Sequence, residues 1–253
     1  MSSETQYRQE SLFLEYPQTK ANAYEKRNAP TFLRNQFIGI GKYEFPLIRK
    51  QVINLDNVGL IACTNTRLDD QEYYDFGVHF FVDDYDFGHP YEAPEKTYNL
   101  YSQYRFCLTP DYSVYAEMPT WRQIESVAHS RWCGAWWQSR GMTVIPTVSW
   151  DKYPSYDFCF DGIEPGSILA IATYACRQDR SAFLRGYDAM LERIRPQAII
   201  CYGNPLPGMR GNITTIQVCH PRQFHRELRP SPHDTVHPST TARFVACGAS
   251  KII

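Results

Sequence analysis

From Phe37 onward the apolar residues fall in short runs that end in polar clusters. The runs at Gly59 to Asn65, at 77 to 84 (GVHFFVDD) and at 104 to 111 (YRFCLTPD) are short, β-rich and closed by polar residues, as buried parallel strands with functional C-terminal loops are. MTVIPTVSW (142–150), SILAIATYA (167–175), AIICYGN (198–204) and NITTIQV (212–218) repeat the pattern, the last as the expected final strand. Helical spacing appears between them. From Pro119 to Arg140, Trp121, Ile124, Val127, Ala128 and Ala135 recur at helical intervals; Thr120 and Gln123 match a T-x-x-Q capping box, and Gly141 supplies a stop. A second helix places Phe183, Tyr187, Met190, Leu191 and Ile194 on one face and ends before Pro196.

This alternation predicts an α/β fold: a single domain of repeated βαβ units around a largely parallel sheet. The strands can close as an irregular or incomplete (β/α) barrel or stay open as a doubly wound sheet, and the sequence leaves both available. The domain is expected over residues 32–220. A polar, irregular N-terminal arm (1–31) precedes it, and a flexible, basic tail rich in His and Pro (221–253) follows. Neither G-x-G-x-x-G nor a Walker A pattern follows any strand, so no nucleotide-cofactor motif is present.

Composition narrows the classes. Aromatics reach 15%, with 18 Tyr, 14 Phe and 5 Trp, which excludes global disorder. The net charge of −1 argues against a surface that embraces polyanions throughout. It divides unevenly: the last 35 residues carry +3, leaving the body at −4. No stretch approaches the roughly 20 apolar residues that span a bilayer, and MSSETQYRQESLF lacks an apolar signal core; a cytoplasmic protein with no membrane partner is expected. Most of the eight cysteines sit in apolar runs and are expected reduced and buried.

The ordered motifs HFFVDDYDF, LTPDYSVYAEMP, RGMTVIPTVSW, SYDFCFDGIEPGSILAIATYACR and AIICYGNPLPGMRG form a recognisable series. Over roughly residues 35 to 215 the chain resembles the family called domain of unknown function 4417, whose members occur on bacterial genomes, phages and plasmids. The resemblance implies a mobile-element context and assigns no catalytic residue.

Ligand sites in parallel α/β folds lie at the C-terminal ends of the strands, so polar residues just past the apolar runs are the candidates. Asp83 and Asp84 follow one run, Asp111 and Ser113 the next, then Trp150, Tyr174 and Asn204. Asp111 stands out because Pro110 before it and Ser113 after it mark an ordered turn. Asp83 or Asp84 converging with Asp111 could divide general-acid and general-base roles, or hold Mg²⁺ or Mn²⁺. The competing role for such aspartates is to cap helices and turns. His79, on the same strand face as Asp83, is either a base or a core histidine. Arg210, in the glycine-rich turn GNPLPGMRG, could meet a phosphate or carboxylate. Arg131 reads as an exposed helix residue covering apolar surface, and Asp161 as a turn former. Cys219, His220, His225, His233 and His237 have metal-ligand chemistry but no CxxC partner.

Two functions follow. One is an enzyme whose strand-end carboxylates perform hydrolysis or group transfer on a nucleotide or nucleic-acid-linked substrate. The other is a non-catalytic protein that recognises a protein or single-stranded nucleic acid through an aromatic-rich surface.

Overall fold

A computed structural model describes residues 22–173, 179–218 and 250–251. The chain divides into Met1–Gln36 and Phe37–Ile253. Within the first unit lie two short helices, α1 (Ala23–Asn28) and α2 (Pro30–Leu33). Asn22 and Glu25 cap α1 reciprocally, each accepting the other's backbone N–H, at 2.9 and 2.8 Å. Part of the stretch read as irregular is therefore helical, because caps stabilise a helix too short to show an apolar period.

The second unit opens with an antiparallel pair, β1 (Gly39–Ile40) and β2 (Phe45–Pro46). There follow β3 (Leu60–Ala62), β4 (Gly77–His79), α3 (Pro94–Tyr101), β5 (Phe106–Leu108) and α4 (Thr120–Ser139). Then come β6 (Val144–Ile145), β7 (Ile168–Ala172), α5 (Arg180–Ile194), β8 (Ala198–Tyr202), β9 (Ile213–Ile216) and β10 (Ser250–Lys251). Strands β3-β4-β5-β6 form one parallel sheet, and β7-β8-β9 a second, with β10 antiparallel on β9.

The two sheets are joined. Beyond β6 the chain bridges β7 in parallel at Thr147 and Ala170, with Ala170 N–H donating to Pro146 O and Val148 N–H to Ala170 O, each at 2.9 Å. The alternation of side chains shows that the joined sheet curves. Leu60, Phe106, Leu108, Ile145, Ala170, Ile200 and Ile216 all meet in one interior cluster. Tyr202 of β8 reaches across it to stack on Phe81, just beyond β4, with ring centroids 5.0 Å apart. Strands so far apart in the sheet order can touch only if the sheet wraps around a common axis. Among the described residues β3 and β9 do not pair, so the barrel is not closed.

The outward positions are covered by helices. Val78, Cys107 and Val144 pack with Trp132, Trp136 and Trp137 of α4, while Leu169, Ile171, Ile199 and Cys201 pack with Phe183, Tyr187, Met190 and Ile194 of α5. Burying each of these large side chains stabilises the fold by about 1.5–3 kcal/mol. Cys63, Cys107, Cys133, Cys159 and Cys201 are buried thiols. No described helix is long and apolar enough to cross a membrane.

The expected capping box of α4 is not formed. Pro119 occupies the N-cap without a side-chain bond, and Gln123 turns back to donate to Tyr115 O and Met118 O at 3.2 and 3.0 Å. The preceding loop takes the amide that the motif assigned to the helix start.

Candidate functional site

The loops after β5 and β6 are held together by small hydroxyl residues. Thr147 donates its N–H to Thr109 Oγ1 and its Oγ1 to Thr109 O, both at 2.9 Å, and Ser130 Oγ of α4 donates to Thr109 Oγ1 at 3.1 Å. Arg131 completes the buckle. Its guanidinium is buried and donates to the carbonyls of Thr147 (3.1 Å), Cys159 (2.7 Å) and Asp161 (3.0 Å). The exposed helix residue read from the sequence is thus a buried clamp on the segment after β6. The turn there brings unpaired carbonyls within its reach, and a planar fork of donors can satisfy all three. Burial lowers its pKa, but only to about 10, so it stays charged.

Two residues beyond Thr109, Asp111 lies against a cavity of about 70 Å³, with Val148, Ser149, Trp150, Ala172 and Phe183 forming the rest of its wall. The carboxyl is partly buried, and its Oδ1 has neither exposed surface nor a hydrogen-bond partner. Loss of hydration raises its pKa from 3.8 to about 7; the Ser149 hydroxyl opposes this, the negative charge of Asp84 adds to it, and the Arg131 charge opposes it. Such a group exists in both protonation states at neutral pH and can give or take a proton. A second, water-sized space of about 10 Å³ also has Ser149 in its wall, with Ser126, Ser130, Arg131 and Thr147.

Asp84 begins a single helical turn after β4 and is exposed. It accepts from Ser113 N–H at 3.1 Å and from Ser113 Oγ at 2.9 Å, so it ties its own loop to the loop of Asp111. Asp83 is exposed beside it, at the N-cap of that turn, without a side-chain capping bond. Of the residues named from the sequence, Asp84, Asp111, Ser113 and Trp150 are therefore brought to one region.

The others lie elsewhere. His79 is buried in the barrel interior, where its Nδ1 accepts Phe81 N–H at 3.1 Å and its ring meets Tyr202 at 4.6 Å. Burial depresses its pKa from 6.5 to about 3, which keeps it neutral. Asn204 is exposed, and its carbonyl accepts from Thr173 Oγ1 at 2.9 Å. Arg210 pairs with Asp188 at 2.8 Å on the surface. Asp161 accepts from Arg193 at 2.8 Å. Tyr174 and the histidine-rich segment with Cys219 lie outside the described residues. Among the described residues no group of three or more His, Cys, Asp or Glu is placed to hold a metal ion. Asp83, Asp84 and Asp111 thus do not form a three-ligand set.

Sequence reasoning missed Ser149, Thr109, Thr147 and Phe183. The signal for the hydroxyl residues was present: Thr147 and Ser149 alternate at period two just beyond the apolar strand.

Gene 1 protein of Mycobacterium phage L5 is 42% identical over 129 residues, which cover 50% of this chain and 56% of that protein. Gene 1 protein of Mycobacterium phage D29 is 39% identical over 129 residues, covering 50% of this chain and 48% of its own. The matched region is thus about half the length of these curated relatives. No solved structure matches the chain. The family model for Domain of unknown function (DUF4417) matches residues 38–219, a span that holds the curved sheet up to β9 and every described residue of the Asp111 cavity, and the chain belongs to that family.

Proposed function

We propose that this domain is an enzyme in which Asp111 transfers a proton during hydrolysis or group transfer. One observation carries the reading: a carboxyl with a pKa of about 7 keeps an unpartnered oxygen buried beside a cavity at the C-terminal end of the strands. In a hydrolysis, protonated Asp111 gives its proton to the leaving oxygen as the bond to that oxygen breaks. The carboxylate so formed recovers a proton from the attacking water. The Thr109–Thr147–Ser130 buckle and the Arg131 clamp fix the loops on which this group depends.

The nucleotide-linked substrate expected from the mobile-element context finds little support at the cavity. Among the described residues its lining includes no lysine or arginine, and Arg210 is engaged with Asp188. A substrate that presents uncharged oxygen to Asp111 fits better. The test is a panel of hydrolase and transferase substrates, assayed from pH 5 to 9 with the wild-type chain and with Asp111→Asn. Turnover that changes around pH 7 and disappears in a folded Asp111→Asn variant is expected. Turnover that survives the substitution removes Asp111 from the chemistry.

A further inference from the structure

The exposed aromatic side chains of the second unit are not scattered. Among its described residues they are Tyr85 (96% exposed), Tyr115 (52%), Trp121 (65%) and Tyr153 (73%). Tyr85 follows β4, Tyr115 and Trp121 follow β5, and Tyr153 follows β6, so all four belong to the loops, or the helix start, at the end of the barrel that holds Asp111. Hydrogen bonds connect three of them. Asp84, next to Tyr85, holds Ser113, two residues before Tyr115. Gln123 in the first turn of α4 holds Tyr115 O, which brings the loop back to the turn that carries Trp121. Exposed single aromatics are ordinary, but four on the segments that follow β4, β5 and β6, at the strand ends where Asp111 lies, offer a binding surface.

The charge of this rim selects among ligands that stack on aromatic rings. Residues 82–93 and 109–119 contain Asp83, Asp84, Asp86, Glu92, Asp111 and Glu117, and no lysine or arginine, while beside Tyr153 the charges of Asp151 and Lys152 cancel, so the rim is acidic on balance. Arg122, next along α4, is paired with Glu125. A nucleic acid would bring a row of phosphates against these carboxylates, whereas single-strand binding grooves combine their stacking aromatics with positive charge. A sugar chain has the opposite character. Its flat C–H faces pack on Tyr and Trp rings, its hydroxyls donate to carboxylates, and it carries no charge for the rim to repel.

We propose that the rim formed by Tyr85, Tyr115, Trp121 and Tyr153 binds a neutral carbohydrate chain and presents one of its oxygens to Asp111. This names the substrate class for the catalytic reading above and rests on that reading only for the chemistry, not for the binding.

The experiment is calorimetric titration of the full chain with neutral tetrasaccharides (cellotetraose, chitotetraose and maltotetraose) and, separately, with single-stranded oligothymidylate at low salt. Tryptophan emission is followed in parallel, since Trp121 is the exposed indole. At least one tetrasaccharide should bind and shift the emission. Trp121→Ala and Tyr85→Ala should each weaken that binding about tenfold, with the melting temperature unchanged because both rings are exposed. Val52→Ala, an exposed apolar position outside the rim loops, should leave it unaltered. Failure of every tetrasaccharide to bind, equal weakening by Val52→Ala, or tighter binding of oligothymidylate than of any sugar each overturns the proposal. Asp111→Asn separates the two readings. A sugar that binds both wild type and this variant, and is cleaved by neither, supports the carbohydrate rim and defeats the catalytic role.

Discussion

Asp84 grips Ser113 twice, through the backbone N–H at 3.1 Å and the hydroxyl at 2.9 Å, and so holds a negative charge close enough to raise the pKa of Asp111. Replacing it with Asn keeps an oxygen to accept from Ser113 and removes the charge. In Asp84→Asn the Asp111 carboxyl should therefore titrate below the wild-type value of about 7. Carboxyl-carbon NMR with labelled aspartate reads this directly, and a midpoint that stays or moves upward contradicts the coupling.

The burial that raises Asp111 makes stability depend on pH. The folded state holds a proton that the unfolded chain, with its carboxyl near 3.8, has already released, so the stability contributed by this group falls as pH rises from about 4 to about 7. Asp111→Asn has no proton to release. Relative to wild type it should gain stability across that window, by at most a few kcal/mol because the side chain is only partly buried. Urea unfolding at pH 4 and pH 8 checks the sign; a difference that does not grow with pH rejects the buried carboxyl.

Arg131 satisfies three carbonyls from one buried position. Arg131→Met fills similar volume but leaves all three without a donor, and should cost about 3–5 kcal/mol. Lys offers a single charged nitrogen that cannot span carbonyls of Thr147, Cys159 and Asp161 together, so Arg131→Lys should rescue little. Thermal unfolding compares the two, and recovery of most of the loss by Lys would show that charge rather than the fork is what matters.

The strands were legible because parallel strands buried on both faces appear as plain apolar runs, and Asp111 was legible because it closes one of them. Arg131 was not. Helical periodicity places it among residues whose exposure depends on what packs there, and the carbonyls it serves come from positions 16 to 30 residues further on. Helix α3 escaped notice because Pro94–Tyr101 mixes Glu, Lys, Thr and Asn with its aromatics and spans barely two turns. Curvature was also beyond the sequence: alternation separates inward from outward residues, but only contacts such as Phe81 with Tyr202 reveal that the inward ones share a single interior.

Trp150 forms one wall of the cavity by lying against Gly186 of α5. A Cβ at residue 186 would stand 2.1 Å from Trp150 Nε1 and 2.2 Å from its Cδ1. In an open helix Gly→Ala stabilises by about 1 kcal/mol. Here the indole would have to leave its place against Phe183, a contact with ring centroids 5.0 Å apart. Gly186→Ala should therefore destabilise by about 1–3 kcal/mol and change the near-ultraviolet circular dichroism. A stabilised variant with an unchanged aromatic spectrum would mean that the indole moves freely.

His79 and Asp111 bend the pH profile in opposite directions. Burial lowers the His79 pKa from 6.5 to about 3. The unfolded chain thus takes up a proton that the folded state refuses, and stability present in full above pH 6.5 is lost as pH falls, by up to about 1.4 kcal/mol per unit. Over the same range Asp111 makes the folded state more stable as pH falls, so in the wild-type chain the two slopes largely offset each other between about pH 4 and 6.5. Each substitution unmasks the other group. Asp111→Asn should lose stability on acidification through this window. His79→Leu gives up the acceptor for Phe81 N–H, a pH-independent loss of about 1–2 kcal/mol, and should close on the wild type as pH falls below 6.5. Parallel curves for wild type and His79→Leu would mean that the folded imidazole takes up a proton as readily as it does in the unfolded chain, against the desolvation that burial beside Phe81 and Tyr202 imposes.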